Sequence, residues 1–191
     1  MEIPPPRDRM IEAAITLMRR SGYSGVGINE VLAESGAPKG SMYHYFPGGK
    51  RQVAAESLAT YAGRVVAFID ASLARGRTPA GKVRALFAAF EQRLLDSDYR
   101  QSCAAGCVSL DLDPELESVR AVVESAFADY IAVIASHFEL GNATRARSFA
   151  GFVLTAIEGA YVRGRAERSG KAFREAGEWL ARLVAVESRD A

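Results

Sequence analysis

Residues 36–46 have the sequence Gly-Ala-Pro-Lys-Gly-Ser-Met-Tyr-His-Tyr-Phe, a mixture of small, basic and aromatic side chains. The residues before them have the apolar spacing of a short helix, at Ile28, Val31 and Leu32. Gly36 follows, and its backbone can adopt the left-handed geometry of a sharp turn. A second short helix is predicted from Pro38 to about Phe46. Residues 28–46 therefore have the layout of a helix-turn-helix.

The second of these helices has a small, polar side, which consists of Lys39, Gly40, Ser41 and His44, whereas Met42 and Phe46 are spaced to enter a core. Small residues let a backbone approach DNA closely, and lysine and histidine donate to bases or phosphates. Between Ser35 and Ala55 there are three basic residues and no acidic ones. A basic helical face is often only solvated surface, so spacing alone leaves DNA binding as a hypothesis.

Helical periodicity continues along the whole chain, and no segment shows the alternation typical of a strand. One helix ends at Ser21-Gly22, and a long one runs from Gly49 to about Leu73. A short helix is predicted around residues 104–110. Further helices are expected to start at Thr78-Pro79, Asp113-Pro114 and Asn142. The helix that starts at Asn142 is expected to end at Ser169-Gly170, and a last helix carries Phe173, Leu180 and Val184. The prediction is an all-α fold of about nine helices.

Composition limits the class of protein. Of the 191 residues, 49% are hydrophobic and 25% charged, as in a globular protein with a core, and the net charge is only +1. A nucleic-acid site must therefore be a local patch. No apolar run reaches the ~20 residues that span a bilayer, no signal peptide is recognised, and two cysteines form no disulfide framework. We expect a cytoplasmic protein with free thiols and no membrane partner.

The helix-turn-helix stretch resembles that of TetR-type transcriptional regulators. The matching features are the Gly36 turn, the small and basic residues after it, Tyr43-x-x-Phe46 and a lysine shortly beyond, at Lys50. The resemblance extends over roughly residues 7–60. The Phe46–Lys50 segment is one residue longer than the usual form and is similar to that of the LmrA/YxaF-like branch.

The resemblance implies a DNA-binding site at Ile28, Pro38, Lys39, Gly40, Ser41, Tyr43, His44 and Lys50. Lys39, Gly40 and Ser41 would approach the major groove, and Tyr43, His44 and Lys50 would contact phosphates. Members of the family contact the DNA backbone near position 28 through a side-chain hydroxyl, which Ile28 lacks. Gly27 also stands where a Ser or Thr helix cap is usual. Both departures put a side-chain contact to phosphate at this point in doubt. Amides at the start of the fourth helix are expected to attract phosphate.

The C-terminal part is expected to hold a ligand-binding and dimerisation bundle, so we divide the chain into residues 1–51, for DNA, and 52–191. Aromatic side chains are frequent in the second part, either as core or as the lining of an apolar cavity. The candidate effector-binding residues are Phe68, Phe90, Leu94, Cys107, Phe127, Tyr130, Phe152 and Ala156. The expected effector is a small apolar or aromatic molecule.

Helices near residues 143–168 and 171–187 are candidates for a homodimer interface. Phe152, Ala156, Ala160 and Gly164 form a stripe with small residues that is suited either to a close crossing with a second copy or to the monomer's own core. Cys103 and Cys107 are expected to serve as small buried residues near the pocket. A thiol switch formed by the two cysteines is an alternative. No metal or cofactor is expected, because the spacing offers too few ligands.

The predicted function is that of a DNA-binding regulator, a repressor released from a palindromic operator by its effector. The long fourth helix, which enters both parts, is expected to couple them. Activation instead of repression is an alternative, as is a helical adaptor that binds another protein. An enzyme is not expected, since the sequence has no nucleophile–base pair and no phosphate-binding loop after a strand.

Overall fold

The computed structural model describes residues 3–188, and within that range the chain is entirely helical. The nine α-helices are α1 (Pro6–Ser21), α2 (Ile28–Ser35), α3 (Ser41–Tyr45), α4 (Gly49–Leu73), α5 (Pro79–Asp96), α6 (Ala104–Ser109), α7 (Glu117–Ala135), α8 (Ala143–Glu167) and α9 (Lys171–Glu187). One 3₁₀ turn, Pro114–Leu116, precedes α7. The predicted all-α fold is confirmed.

Most helix ends follow local capping chemistry. The Thr78 hydroxyl accepts a hydrogen bond from the Gly81 N–H at 3.0 Å, and the Asn142 side chain accepts one from the Arg145 N–H at 2.9 Å. Each bond satisfies a helix N–H that would otherwise lack a partner. Gly36 ends α2 in the left-handed conformation, with φ 59° and ψ 24°.

Three ends differ from the prediction. Helix α3 begins at Ser41, because Pro38–Gly40 form a turn that the Ser41 N–H closes onto the Pro38 carbonyl at 3.0 Å. Asp113-Pro114 opens a 3₁₀ turn before α7. Helix α8 ends at Glu167, and its C-terminal cap is Arg168, a non-glycine residue with φ 45°, whereas the end was predicted at Ser169-Gly170.

The described residues form two compact units. The first comprises the chain up to Gly63 together with Cys103–Ala126, and the second comprises Arg64–Ser102 and the chain from Phe127 onward. The compact units thus have other bounds than the functional division proposed at residue 51. Within the first unit α1 contacts α2, α3 and α6. Its core includes the fully buried Met10, Met18, Met42, Phe46 and Leu58.

Helix α6 and the residues after it attach to the C-terminal end of α1. The Asp111 carboxylate accepts a hydrogen bond from the Ser24 N–H at 3.0 Å. The Cys107 thiol donates to the Arg19 carbonyl at 3.5 Å. These contacts explain why a segment remote in sequence belongs to the first unit.

Gly22 lies beneath Asp111 with φ 69°, and replacing it with alanine is expected to destabilise the protein by roughly 2–4 kcal/mol. A Cβ at Gly22 would overlap the Asp111 carboxylate and lie 3.0 Å from the Cys107 carbonyl oxygen. Denaturant unfolding measures the change. The control is Gly63→Ala in α4, where a Cβ meets no atom within 4 Å of the described structure; it should stabilise by about 0.5–1 kcal/mol. Equal unfolding midpoints for both variants would contradict this account.

The second unit is built around α5, α8 and α9, which contact one another. An edge-to-face series of rings runs through it, in the order Phe68, Phe90, Tyr161, Phe173 and Phe87, with centroids 5.0–6.5 Å apart. On its surface Arg84 donates two hydrogen bonds to Glu178, at 2.8 and 3.0 Å, and so links α5 to α9. No helix of residues 3–188 has the length and apolar character to cross a membrane.

Candidate nucleic-acid interface

Helix α3 presents two different sides, as predicted from its sequence. Met42 and Phe46 are fully buried, while Tyr43 is 66% exposed and Lys39, Gly40 and His44 are also exposed. The rings of His44 and Tyr45 meet edge to face, with centroids 4.9 Å apart. The two apolar anchors thus fix the helix in the first unit and leave a face of polar and aromatic groups in water.

The turn before α3 already uses part of its hydrogen-bonding capacity. The Ser41 hydroxyl donates to the Pro38 carbonyl at 2.6 Å, which leaves its oxygen available mainly as an acceptor. Lys39 and Gly40 lie in this exposed turn and not in the helix itself. A partner approaching α3 would therefore meet Lys39 at the N-terminal edge of the helix.

Lys50 lies at the start of α4, and its ammonium is 4.3 Å from the centroid of the Tyr23 ring. This cation–π contact orients the lysine. Burial raises the pKa of the Tyr23 phenol above its ordinary value; Arg51 opposes this shift and Asp113 adds to it. Tyr23 therefore stays neutral at physiological pH and keeps its ring as a platform for Lys50.

The backbone amides that were expected to attract phosphate near Lys50 are engaged within the protein. The Gly48 N–H donates to the Gln52 side chain at 2.8 Å, and the Gly49 N–H donates to the Phe46 carbonyl at 2.8 Å. That expectation was wrong for these two amides. Anion binding at this point depends on the Lys50 ammonium.

The N-terminal end of α2 lacks a side-chain cap, as the glycine at position 27 indicated. Glu30 compensates, because its carboxylate accepts a hydrogen bond from the Gly27 N–H at 2.9 Å. Ile28, the first residue of α2, is half-buried. Arg51 donates to the Glu115 carbonyl at 3.3 Å within the first unit.

The candidate effector-binding residues are distributed over both units. Cys107 belongs to the first unit, and the other seven belong to the second. Phe68 and Phe90 form one ring pair, with centroids 5.1 Å apart, and Phe127 and Tyr130 form another at 6.3 Å. Leu94 is buried, Ala156 is half-buried and Phe152 is 55% exposed.

An open cavity of about 760 Å³ lies in the second unit, where the ends of α7, α8 and α9 meet. Its lining includes Phe138, Leu140, Asn142 and Arg147, and none of the eight candidate effector-binding residues. Within residues 3–188 no group of three or more histidine, cysteine or acidic side chains is arranged as a metal site requires.

The stripe predicted on α8 is divided between two environments. Ala160 and Gly164 are buried, and a Cβ on Gly164 would lie 2.5 Å from the Leu94 side chain, so this part faces the monomer's own core. Phe152 and Val162 are exposed on α8, and Trp179, Leu183 and Val186 are exposed on α9. Among the described residues, α9 thus carries a second, exposed apolar face, and α8 carries two separate exposed apolar side chains.

The geometry of the first unit defines a class: a helix-turn-helix protein with an exposed second helix, attached to a larger helical body. The N-terminal part, residues 10–56, matches the family model described as bacterial regulatory proteins, tetR family. Residues 79–179 match the model of the C-terminal domain of LmrA/YxaF-like transcriptional regulators. The chain belongs to the TetR family of transcriptional regulators, in its LmrA/YxaF-like branch, a family of DNA-binding regulators and not of enzymes.

Similar proteins agree with this assignment. An uncharacterized HTH-type transcriptional regulator of Mycobacterium tuberculosis is 38% identical over 115 residues, which cover 60% of this chain and 57% of that protein. The match thus spans little more than half the length of that relative. The crystal structure of the TetR regulatory protein from Rhodobacter sphaeroides superposes with a TM-score of 0.82 at 22% identity, over 92% of this chain and 96% of that one.

A further solved structure is that of a cysteine mutant of the TetR family regulator CifR complexed with 26-base-pair double-strand operator DNA. It superposes with a TM-score of 0.80 at 18% identity, over 95% of this chain and 97% of that chain. At this identity the likeness concerns the fold.

Proposed function

We propose that this chain is a cytoplasmic repressor that binds a palindromic DNA operator as a homodimer and is released by a small apolar or aromatic ligand. The observation that carries the proposal is the exposed surface of α3 and of the turn before it. Lys39 in the turn and Tyr43 and His44 on the helix are exposed, while Met42 and Phe46 are buried. An exposed tyrosine beside basic residues, with no acidic residue from Ser35 to Ala55, suits a phosphate backbone.

In this proposal residues 1–51 bind DNA. Lys39, Gly40 and Ser41 approach the major groove with Pro38 at the entry to the turn. Tyr43 and His44 contact phosphates, and Lys50 holds a phosphate from its position over Tyr23. Ile28 contacts the DNA backbone through its own main-chain atoms, since its side chain offers no hydrogen-bond donor.

Residues 52–191 bind the effector and the second copy. The exposed apolar side chains of α8 and α9 support a homodimer. On α9, Trp179, Leu183 and Val186 lie exposed on one face of the helix. Leu180 and Val184 are buried in the core. Two α-helices from each copy would form a four-helix interface. A two-fold dimer places two recognition helices about one helical turn of DNA apart, ~34–36 Å or a multiple.

The effector is proposed to bind among the aromatic residues of the second part, at the candidate positions named above. Release from DNA requires that it favour a second conformation by about 10⁴-fold, ~5.5 kcal/mol. Helix α4 is one continuous helix from Gly49 to Leu73 and contributes residues to both units. We therefore assign the coupling to α4.

Salt dependence tests the DNA-binding part of this proposal. A dimer with Lys39 and Lys50 in each copy carries four lysines against phosphate, so the slope of log affinity against log salt is expected near −3 to −4. Lys50→Ala should reduce the magnitude of that slope by about 2 per dimer. Fluorescence anisotropy with a duplex enriched from a randomised library provides the measurement.

The control is Lys171→Ala in α9, which removes one positive charge per copy outside the residues proposed to bind DNA. It should leave the salt slope unchanged. A slope near zero for the wild type would contradict DNA binding through a basic face. A reporter gene behind the bound promoter then separates repression from activation. Deleting the gene for this protein raises reporter expression if the protein is a repressor and lowers it if the protein is an activator.

A further inference from the structure

The first turn of α1 contains two arginines, Arg7 and Arg9, at the end of a helix where positive charge is disfavoured by the helix dipole. Neither side chain is left to solvent alone. Arg9 reaches the end of α2, before the turn that leads to α3, and Arg7 reaches the C-terminal end of α3. Their positions therefore need an explanation beyond the stability of α1.

Arg9 binds the end of α2. Its Nη1 donates to the Ser35 carbonyl at 2.8 Å and lies 3.4 Å from the Gly36 carbonyl oxygen, which it also contacts as a donor. Ser35 is the last residue of α2, and Gly36 is its left-handed cap. A guanidinium on the terminal carbonyls satisfies acceptors that the helix leaves open and faces the negative end of the dipole. Arg9 thereby fixes the turn through which the chain enters α3.

Arg7 acts on the other end of α3. Its guanidinium lies 5.6 Å from the centroid of the Phe46 ring, the C-terminal cap of α3, and pairs with the Glu56 carboxylate of α4. Glu56 also accepts a hydrogen bond from the Gln52 amide at 2.8 Å, and Gln52 in turn accepts one from the Gly48 N–H at 2.8 Å. Arg7 thus connects α1 to the turn through which the chain leaves α3.

We propose that Arg7 and Arg9 are positioning residues that hold the segments on either side of the recognition helix against α1 without touching DNA. Arg9 holds the turn between α2 and α3, and Arg7 holds the C-terminal cap of α3. The proposal rests on the proposed binding of DNA through α3. A helix of five residues is not stable by itself, so its orientation depends on the contacts at its ends. In Arg9 a single nitrogen, Nη1, donates to both carbonyls, and the charge of the guanidinium strengthens these bonds.

The test uses the 191-residue protein and two duplexes, one enriched from a randomised library by the wild-type protein and one scrambled. Arg9→Gln removes the positive charge, and Arg9→Lys keeps it. The matched control is Arg20→Gln, at the far end of α1. Affinity is measured by anisotropy at four salt concentrations, and thermal unfolding confirms that each variant is folded at the assay temperature.

Arg9→Gln is expected to weaken binding to the enriched duplex about tenfold and binding to the scrambled duplex less than about twofold. The salt slope should stay at the wild-type value, because no phosphate contact is lost. Arg9→Lys should be intermediate, about threefold weaker, since it keeps the positive charge near the two carbonyls but replaces the planar guanidinium with a flexible ammonium. Arg20→Gln should bind as the wild type does.

Two results would overturn the proposal. The first is a salt slope that Arg9→Gln reduces by about 2 per dimer and Arg9→Lys restores, which would make Arg9 a phosphate contact. The second is unchanged affinity in both variants. If the wild type itself fails to prefer any duplex, the proposed function fails and not the positioning role. If Arg9→Gln does not fold, Arg9→Lys decides between these outcomes by its affinity and slope.

The Arg7 side is tested by a double-mutant cycle. Arg7 and Glu56 are partly exposed, so Arg7→Gln alone should weaken specific binding by only about threefold. Adding Glu56→Gln to Arg7→Gln should reduce the affinity little further, because the two residues form one ion pair. Adding Arg9→Gln should multiply the two losses of affinity, because Arg7 and Arg9 act on different sides of α3. Equal losses for specific and scrambled DNA would contradict a positioning role.

Discussion

Replacing Lys39 and Tyr43 together with alanine is expected to weaken operator binding at least about 100-fold while leaving the fold intact. Both side chains are exposed, Tyr43 by 66%, so their removal creates no cavity. Each lost contact to a base or phosphate costs about 1–3 kcal/mol, and two contacts in both copies of a dimer exceed the ~2.7 kcal/mol that a 100-fold change requires. Anisotropy titration of the enriched duplex measures the loss.

A matched control separates this effect from a loss of positive charge. Lys171→Ala on α9 should change operator affinity less than about twofold, and circular dichroism should show equal helix content in all three proteins. If the double variant still binds the enriched duplex like the wild type, α3 is not the recognition element. A protein-binding adaptor would be indicated if the variant retains a partner and the wild type binds no DNA.

Trp179→Glu is expected to convert the proposed homodimer to monomer, with the dissociation constant of the dimer raised about a thousandfold. Trp179 is 69% exposed in the single chain, next to the exposed Leu183 and Val186 on α9. Truncating a tryptophan at the centre of an interface typically costs ~2–4 kcal/mol, and burying an unpaired carboxylate adds to that cost. Sedimentation equilibrium measures the mass, and operator affinity should fall with it, because the two recognition helices are no longer linked.

Leu110→Glu is the control for this substitution, since Leu110 is 85% exposed and belongs to the first unit, whereas Trp179 belongs to the second. This variant should stay dimeric. Trp179→Phe should weaken the dimer less than Trp179→Glu, because it keeps an apolar ring. A dimer of unchanged stability in Trp179→Glu would show that α9 does not form the interface.

The ends of most helices could be predicted because the signals that set them are local. Thr78, Asn142 and Gly36 act within three or four residues of their own positions, so their effect is visible in the order of the residues alone. The same is true of Met42 and Phe46, four residues apart on a helix and both buried. The helix-turn-helix of residues 28–46 could be predicted from the sequence for this reason.

The start of α3 shows where local signals compete. Pro38 favours a helix start at that position, but the hydroxyl and N–H of Ser41 both bind the Pro38 carbonyl and close a turn instead. At α2 the local signal is an acid three residues after the capping position, and Glu30 accepts the hydrogen bond of the Gly27 N–H. The amides of Gly48 and Gly49 were expected to be free, but the Gln52 side chain and the Phe46 carbonyl accept their hydrogen bonds.

By itself the sequence determined the all-helical class, the helix-turn-helix and the polar side of its second helix, since periodicity and capping act over one or two turns. Tertiary structure alone decided that Arg9 holds the end of α2 from 26 residues away, that Asp111 joins Ser24 from 87 residues away, and that residues 103–126 belong with α1. Partners this far apart in sequence meet only after the helices have packed, and no local pattern specifies which polar group will face which.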